Sequence, residues 1–581
     1  MKIKEEIKRS ILNIGILLLM FIIVDILVTT IFQVVNIAMS PLNVIFSSII
    51  TICLFLFLNR RRINKQNSMF YIATVFVAIL IAIVSTYYIG KTFDTSADGC
   101  FYHKPAIGLI KEGWNPLYES SEDFCKDNDT EIENSGQFLW IDHYPKVTWN
   151  FAASIYSVTN NIETGKVLIV LLAISLASIT YYYLTQKKLK DWQAIAIAIG
   201  LVANPIVLSQ IFTYYVDGVM GLLVYGIMLF LIMITDKKFD SLTNLEKWLG
   251  LATEIILCMN IKFTGIYFAA IFSIVFYITW LIQSYKERKF KEDFIRLTLR
   301  FVGIVVVGIG VVGASTYIKN TIDHKNPVYP IIGNDKVDII TTMQPQSFAE
   351  KNRLVKIFES TFSRSENVTY NSGKDPEIKV PFSVNQEEID SLAIPDARIG
   401  GYGIFFSGIL IISIIVLVYT LIRIFKNDKN VFKYICIIIG GIFLTTLFMA
   451  EAWWARYSPQ LYLIPIMAMF GIFFVANNCE KKKRRTVENL VGTIIFILMI
   501  INIWPFAYWR VKDIKYAKSI KESIVVLKEV TDNNEKVEIS FNGTDYYGIL
   551  FNIRDYEVKY KLNKDNKENK EHYAYNYQIL Y

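Results

Sequence analysis

Long apolar runs separated by short polar segments dominate the chain, and this pattern predicts an all-α polytopic membrane protein. A helix needs about 20 apolar residues to cross the hydrocarbon core of a bilayer. Lipid offers the backbone no hydrogen-bond partner, so such runs fold as helices. We predict about 13 transmembrane helices, at 11–32, 42–58, 69–89, 166–184, 193–212, 219–235, 246–260, 263–283, 298–316, 403–424, 431–450, 458–477 and 486–506.

The basic residues predict the orientation of these spans. The gaps after every second span are rich in Lys and Arg, whereas the turns 33–41 and 213–218 contain neither. Because cytoplasmic segments carry the excess of Lys and Arg, we expect a cytoplasmic amino terminus in a cell (plasma) membrane. This register places loop 90–165, loop 317–402, the turn 451–457 and the tail 507–581 outside the cytoplasm.

Composition and charge agree with a membrane protein. Hydrophobic residues make up 53% of the chain and charged residues 19%. The net charge of +8 lies in the basic gaps beside the spans, which excludes nucleic acid as the expected partner. Cys100 and Cys125 share one exterior loop, where a disulfide and two free thiols are equally compatible with the sequence.

Two exterior segments have patterns of their own. The aromatic-rich stretch 144–156 is suited to lie flat at the membrane interface. In the tail, residues 517–530 fit an amphipathic helix, 536–541 and 555–561 fit strands, and the polar stretch 562–571 fits a solvated loop. The sequence therefore predicts a small α/β unit at the carboxy terminus.

Few ionisable side chains fall inside the predicted spans, where they are costly to bury. Asp25 and Glu254 are the clear examples, whereas polar residues gather near the outer ends of the spans. A proton-coupled transporter is expected to place more such groups near the middle of the membrane. The distribution favours an enzyme that works at the outer interface.

The first candidate site follows the third span, in the string Asp94-Thr-Ser-Ala-Asp98-Gly-Cys-Phe-Tyr102-His103. A carboxylate at the mouth of the bilayer is suited to act as a general base toward a hydroxyl acceptor. Asp94 and Asp98 are equally suited to cap the helix predicted after them. The pattern leaves both interpretations open.

The second candidate lies later in the same loop, at Asp142-His143. Together, His103 and His143 place two of the chain's four histidines in one loop. Histidine and carboxylate ligands suit a divalent cation. The spacing matches no standard metal pattern, so ordinary hydrogen-bonding histidines are the more frequent alternative.

Further candidates lie at outer turns and in the second long loop. Tyr215 and Asp217 lie at one turn, where the Asp-Gly pair is also simple turn chemistry. Lys262 is the only basic residue of its turn, and either snorkels as an anchor or pairs with a lipid phosphate. Arg456 stands in a short exterior turn against the positive-inside trend, which favours phosphate recognition. Arg398 lies in the Asp-Ala-Arg string of loop 317–402.

The two tryptophans of the turn 451–457 are adjacent to each other in the sequence. Tryptophan is enriched at the membrane interface, so this pair fits an aromatic belt.

These strings, taken in order, resemble the GT-C superfamily of polytopic glycosyltransferases. The resemblance is strongest to bacterial relatives of the protein mannosyltransferase and dolichyl-phosphate-mannose-dependent group, and it extends over roughly residues 69–510. It rests on Asp98-Gly-Cys-Phe-Tyr102-His103-x-Pro105, Tyr-Tyr-Val-Asp217-Gly218, Lys262-Phe-Thr-Gly265, Asn326-Pro-Val-Tyr-Pro330 and Trp-Trp-Ala-Arg456-Tyr457.

The resemblance implies transfer of a sugar, with inversion, from a polyprenyl-phosphate donor to an extracytoplasmic acceptor that is a cell-envelope glycan, a lipid or a protein. Asp98 matches the position of the general base, with Asp94 as the reserve choice. Lys262, Arg456 and Arg398 are the expected ligands of the donor phosphate. The sequence leaves a metal requirement open, because a divalent cation is compatible with the site and no residue pattern requires one. The sugar or acceptor is expected to contact Tyr102, His103, Asp142, His143, Tyr215 and Asp217.

Two features depart from the family pattern. The acidic loop of the family usually follows the first span, whereas loop 90–165 follows the third. Many members carry an Asp-Glu pair where this chain has Asp98-Gly99. The resemblance thus divides the chain into a two-span addition at 1–68, a GT-C-like core at 69–506 and the extracytoplasmic tail at 507–581.

Proteins of other classes share some of these features. A transporter or flippase of lipid-linked glycans uses the same phosphate contacts without a catalytic carboxylate. A polysaccharide polymerase or ligase is also a multispan protein with a large exterior loop, and a noncatalytic membrane scaffold needs neither. The scarcity of charges within the spans disfavours the transporter, and the Asp98 string disfavours the scaffold.

Overall fold

The structure is a computed structural model of the 581-residue chain. It describes residues 2–133, 135–333, 336–337, 343–367, 375–533, 538–541, 547–562, 571–574 and 577–580.

Helices form most of the described part of the chain. The amino-terminal half contains α1 (Lys2–Val34), α2 (Leu42–Asn59), α3 (Ser68–Ile89), α4 (Lys104–Glu112), α5 (Ser121–Asp127), α6 (Gln137–His143), α7 (Val147–Thr159), α8 (Val167–Gln186), α9 (Asp191–Val202), α10 (Pro205–Gln210), α11 (Asp217–Thr235) and α12 (Asn244–Ile261). The carboxy-terminal half contains α13 (Phe263–Lys286), α14 (Phe290–Val305), α15 (Lys319–His324), α16 (Arg353–Phe362), α17 (Gln386–Ser391), α18 (Phe406–Asn427), α19 (Lys429–Phe448), α20 (Leu463–Asn477), α21 (Lys482–Asn533) and α22 (Tyr547–Asp555).

The prediction of an all-α polytopic membrane protein is confirmed. Within the described residues, 11 helices are long and apolar enough to cross a membrane. Every predicted span falls on a helix, but two of these helices, α9 and α12, are not among the 11. Helix α9 has only 12 residues, because the helix ends shortly before Pro205, where α10 begins. Helix α12 carries Glu246, Lys247 and Glu254, which lower its hydropathy.

The polar segments gather at two opposite ends of the helical bundle. At one end, Lys8 Nζ lies 2.6 Å from Asp191 Oδ1, and Arg62 Nη1 lies 2.5 Å from Glu246 Oε1. These pairs join basic gaps that are far apart in sequence, so we call this the gap end. The other end contains loops 90–165 and 317–402 and the turn 451–457, and we call it the loop end. The polar segments that these pairs join therefore lie at the same end of the bundle.

Helix α21 continues from the bundle into the loop end without a break. The predicted boundary at 507 falls inside this helix, which tolerates Pro505 in its interior. Beyond the span, Ala517, Ile520, Ile524 and Leu527 are buried at helical spacing. Ile520, Ile524 and Leu527 join a hydrophobic core shared with loop 90–165, which explains why the helix does not end at the membrane.

The tail contains a small sheet with the strand order β2-β1-β4-β3. Its strands are β1 (Glu538–Phe541), β2 (Lys561–Leu562), β3 (Glu571–Ala574) and β4 (Tyr577–Leu580). Strands β1 and β2 are parallel, and the other two pairs are antiparallel. The strand predicted at 555–561 is wrong for most of its length, since α22 ends at Asp555, residues 556–560 form a turn and irregular backbone, and strand β2 begins only at Lys561. Residues 563–570 of the predicted loop lie outside the described residues.

Helix α22 fastens the tail to loop 90–165. Phe551 is buried against Gly108 of α4, where any added Cβ would overlap the Phe551 ring. The Asp555 carboxylate accepts a hydrogen bond of 2.7 Å from the backbone N–H of Ile162 and another from the Tyr156 hydroxyl. The tail and the loop are thus packed together.

A buried ionic network lies under this contact. Glu163 pairs with Lys104 at 2.7 Å and with Lys166 at 2.6 Å, and all three side chains are almost completely buried. Asn552 of α22 accepts from Lys104 at 2.8 Å and donates to Glu163 at 2.9 Å. Lys104 also donates to the backbone carbonyl of Asp94 at 2.7 Å. Burial opposes the charge of Lys104, but the Glu163 carboxylate outweighs it and raises the Lys104 pKa.

Three other expectations are revised by burial. The aromatic stretch 144–156 does not lie flat on the interface, because α7 is buried almost throughout. Trp453 and Trp454 do not form an aromatic belt, since both are buried against Phe348 and Ile399 inside the protein. Cys100 and Cys125 are both buried thiols and do not form a disulfide with each other. In addition, α1 lies within the main hydrophobic core, although residues 1–68 are predicted as an addition.

Replacement of Phe551 by Ala is expected to loosen the tail from the loop. Removal of a fully buried Phe side chain costs about 3–5 kcal/mol. We expect faster cleavage after α21 in limited proteolysis of the purified protein. The matched control is Val526→Ala on an exposed position of α21, which should leave the rate unchanged. Equal rates for Phe551→Ala and the native protein would contradict this packing.

Candidate active site at the loop end

Asp98 lies at the start of the helical segment that leads into α4. The segment Gly99–His103 is a π-helix that continues directly as α4. The Asp98 side chain makes no capping hydrogen bond. Ser96 takes that role, because its hydroxyl accepts from the backbone N–H of Gly99 at 3.2 Å. The capping interpretation therefore does not apply to Asp98, whose side chain remains 35% exposed.

Asp94 is part of the framework of the loop. Its carboxylate is fully buried and accepts backbone hydrogen bonds from Ser96 at 2.8 Å and from Tyr214 at 2.7 Å. Gly99 packs directly on this carboxylate, and any Cβ at position 99 would overlap it. Burial raises the Asp94 pKa. The sequence does not distinguish Asp94 from Asp98, but the structure gives them different surroundings.

Arg456 lies at the centre of the site, between carboxylates from three parts of the chain. Its Nη1 atom is 3.6 Å from Asp98 Oδ2 and 3.5 Å from Asp217 Oδ2. Its Nε atom is 3.1 Å from Asp396 Oδ1. The first two distances exceed the range of an N–H···O hydrogen bond. Electrostatic attraction holds the guanidinium in place, and its contacts with Asp98 and Asp217 are longer than hydrogen bonds.

Lys262 approaches the same cluster from the joint between α12 and α13. Lys262 itself has extended backbone angles between two helices that end and begin beside it. Its ammonium donates to Asp217 Oδ1 at 2.6 Å and lies 4.0 Å from the centroid of the Tyr457 ring. Because Lys262 pairs with the buried Asp217 carboxylate, its side chain does not snorkel to the membrane surface as an anchor. Gly265 makes this turn possible, because a Cβ there would overlap the carbonyl of Cys258.

Asp396 is a member of the cluster that the sequence analysis missed. Its carboxylate joins Arg456 to Arg398, whose Nε lies 2.6 Å from Asp396 Oδ2. The Arg398 guanidinium also lies 4.5 Å from the centroid of the Trp454 ring. Asp396 stands two residues before Arg398, but nothing in the sequence distinguishes it from other acidic residues of loop 317–402.

The charges of the cluster are balanced. Asp98, Asp217 and Asp396 face the cations Lys262, Arg398 and Arg456. Burial raises the pKa of Asp98 to about 6, against the opposing effect of Arg456. Burial also disfavours the charged form of Arg456, but Asp396 and the other neighbours outweigh it and hold the Arg456 pKa well above its ordinary value. At neutral pH Asp98 is therefore mostly ionised but close to its titration range.

Aromatic rings surround this charged cluster. Tyr215 lies 4.8 Å from the Arg456 guanidinium, and Tyr102 packs on His103 with ring centroids 4.2 Å apart. The indole N–H of Trp149 donates to His103 Nδ1 at 2.7 Å. Burial lowers the pKa of His103 to about 3. The neutral ring accepts at Nδ1, so it carries its hydrogen on Nε2 as a donor.

Asp142 and His143 belong to a different cluster of the loop. Asp142 accepts from the backbone N–H of Ser121 at 2.7 Å, at the start of α5. His143 Nδ1 lies 2.8 Å from Asn320 Oδ1, and its ring packs against Tyr329. The structure therefore does not bring the predicted pair to the charged cluster.

The described residues do not fit the possible divalent cation. No group of three or more His, Cys, Asp or Glu side chains in these ranges is arranged to hold a metal ion. His103 and His143 have protein partners on their Nδ1 atoms. The three carboxylates of the cluster converge on the Arg456 guanidinium instead.

Comparisons of the chain with protein-family models and with curated proteins found no match.

Replacement of Asp217 by Asn is expected to destabilise the protein, because Lys262 would lose its buried counter-charge. Breaking a buried ion pair costs about 3–5 kcal/mol. We expect a lower melting temperature in detergent, and a partial recovery in the double variant Asp217→Asn/Lys262→Met. The control is Asp240→Asn, an exposed carboxylate at the gap end. Additive losses in the double variant would show that the two side chains are not coupled.

Proposed function

We propose that the protein is a membrane glycosyltransferase that moves a sugar from a polyprenyl-phosphate donor to an extracytoplasmic acceptor. The acceptor is a hydroxyl of a cell-envelope glycan, a lipid or a protein. The observation that carries the proposal is the position of Asp98, a partly exposed carboxylate beside the loosely held Arg456 guanidinium. A base and a phosphate-binding cation at one point suit transfer from a phosphate-linked sugar.

In the proposed step, Asp98 takes the proton of the acceptor hydroxyl. The acceptor oxygen forms a bond to the anomeric carbon as the bond from that carbon to the phosphate oxygen breaks. The bonding electron pair leaves with the lipid phosphate, and the anomeric configuration inverts. The proton rests on Asp98, and no oxidant or reductant takes part.

The balance of charge in the cluster supports a coupling between proton transfer to Asp98 and the departure of the lipid phosphate. Asp98 loses its negative charge when it takes the proton, which leaves the cluster with one excess positive charge. The leaving phosphate gains negative charge at the same moment. Arg456 Nη1, only 3.6 Å from Asp98, is then placed to bind a phosphate oxygen. A cation aimed at developing charge stabilises the transition state.

The remaining residues support binding and orientation. In this proposal Lys262 adds positive charge beside the phosphate, and Arg398 acts through Asp396, which holds Arg456 in place. The rings of Tyr102 and Tyr215 and the Nε2–H of His103 contact the sugar or the acceptor. Asp142 and His143 shape the loop from a distance, and Asp94 fixes the backbone that carries Asp98.

We further propose that the protein lies in the plasma membrane with its loop end outside the cell. Within the described residues the spans number thirteen when α9 and α12 are included, so the amino terminus and the tail lie on opposite sides of the membrane in this proposal. The Lys- and Arg-rich gaps favour a cytoplasmic amino terminus. The shared packing of loop 90–165 with α22 supports one common location for the loop and the tail.

The test of the reaction is transfer of radiolabelled sugar from synthetic polyprenyl-phosphate sugars to a cell-envelope acceptor fraction by the purified protein. Asp98→Asn should reduce the rate by about 10²–10⁴, the usual contribution of a general base. The matched control is Asp127→Asn, the same change at an exposed position of the same loop, which should retain full activity. Unchanged transfer by Asp98→Asn would refute the assignment of the base.

In the same assay, kcat/KM should rise about tenfold per pH unit at low pH and level off above the Asp98 pKa, because the base must be ionised. The break is expected near pH 6, since burial raises the pKa of Asp98 to about 6.

If no donor supports transfer while vesicles containing the protein translocate a lipid-linked glycan, the flippase alternative is correct.

Orientation can be measured with a membrane-impermeant thiol reagent on intact cells. We expect labelling of a cysteine placed at Asp127, an exposed position of loop 90–165, and none at Lys188, in a gap-end turn. Lysed cells should label at both positions. The reverse pattern in intact cells would place the loop end in the cytoplasm and overturn the proposed location.

A further inference from the structure

A large apolar groove runs along helix α3, away from the charged cluster. Its volume is about 1070 Å³. Most of its walls come from α1, α2, α3, α7, α8 and α21. Helix α3 is mostly exposed, since only 17% of its most apolar stretch is buried inside the protein. The groove therefore runs beside α3, along its contacts with the bundle, and opens toward lipid.

The depth of the groove matches one leaflet of a bilayer. On α3 its lining extends from Val75 to Lys91, a rise of about 24 Å along a helix. Half of the hydrocarbon core is about 15 Å thick, so the groove covers one leaflet and reaches the headgroup region at the loop end. Two acyl chains of one leaflet suit this depth.

The loop-end rim of the groove is cationic. Lys91, Lys518 and Lys521 line it, and none of the described residues that line the groove is acidic. Lys91 lies 3.9 Å from the centroid of the Tyr87 ring, which holds its ammonium at the rim. Lys518 lies 3.8 Å from the exposed Glu522, a solvent-facing contact of small energy. The rim is complementary to an anionic phosphate.

The groove is closed toward the candidate active site. Asn161 donates to the backbone carbonyl of Gly90 at 2.8 Å, and Thr164 packs against the same glycine. Behind this contact lies the buried network of Glu163, in which Lys166 donates to the carbonyl of Thr92 at 2.9 Å. A lipid in the groove is thus separated from Asp98 by a packed wall. This separation disfavours the sugar donor as its occupant.

We propose that this groove binds an anionic glycerophospholipid of the loop-end leaflet. The acyl chains lie against α1, α3 and α8, and the phosphate binds Lys91, Lys518 and Lys521. The lipid fills the gap beside α3 and joins that helix to α21, and so supports the start of the loop that carries Asp98. Lipid binding at this site does not require that sugar transfer occurs.

The test is native mass spectrometry of the full-length protein purified in neutral detergent, with three added lipids: phosphatidylglycerol, phosphatidylcholine and a long-chain polyprenyl phosphate. We expect retention of phosphatidylglycerol over phosphatidylcholine. Juxtamembrane lysines contribute about fivefold each to binding of an anionic lipid, so Lys91→Gln/Lys518→Gln/Lys521→Gln should weaken it by about 100-fold. A control triple, Lys126→Gln/Lys325→Gln/Lys515→Gln, removes the same charge outside the groove and should have little effect.

A second variant fills the groove without a change of charge. Ala82→Trp, at a lining position of α3, should displace phosphatidylglycerol and leave the lysines intact. Equal retention of both phospholipids, equal losses in the two lysine triples, or full retention in Ala82→Trp would each overturn the proposal. Displacement of phosphatidylglycerol by the polyprenyl phosphate would assign the groove to that lipid instead. The measurement is of binding alone, so it does not depend on whether sugar transfer occurs.

Discussion

The buried network around Glu163 is the interaction on which the loop end depends. One carboxylate pairs with both Lys104 and Lys166, and through them it joins α4, the start of α8 and the backbone before Asp98. Asn552 brings α22 into the same network. Burial of three charges is costly unless each is paired and hydrogen-bonded. The loop, the bundle and the tail therefore have to assemble together, and the position of Asp98 is a product of that assembly.

The charged cluster follows a different rule from this network. Around Glu163 the ion pairs are short and completely buried, whereas Arg456 meets Asp98 at 3.6 Å beside a partly exposed face. Tight pairs hold a backbone, and a loose pair leaves a cation available to a ligand. Asp217 and Asp396 keep Arg456 in place from its other sides. The two clusters thus divide the tasks of support and binding.

The sequence predicts the membrane part of the fold well, because a bilayer demands long apolar runs and excludes unpaired backbone. It predicts the loop end poorly, because contacts between distant segments decide the structure there. Helix α22 forms between the two predicted strands, where the sequence predicts no helix, since its apolar face packs on α4. Trp453 and Trp454 are buried by loop 317–402, which sequence position alone does not reveal.

The candidate site is likewise predicted by the sequence only in part. Sequence strings at outer turns indicate Asp217, Lys262 and Arg456, and the string after the third span indicates Asp98. The structure brings all four together. The sequence does not predict that Asp94 lies apart from these four residues. The Asp94 carboxylate accepts a hydrogen bond from the backbone of Tyr214, which belongs to a distant turn. Asp396 was missed for a similar reason, since only the fold places it between two arginines.

The contact between Gly99 and Asp94 also bears on how such a loop can change. A side chain at position 99 and the carboxylate of Asp94 compete for one volume, so the chain can keep only one of them. A side chain at position 99 and the Asp94 framework are therefore mutually exclusive in this loop. A lineage that exchanges one for the other must alter both positions together, and each single change passes through a loop that is either overcrowded or unsupported.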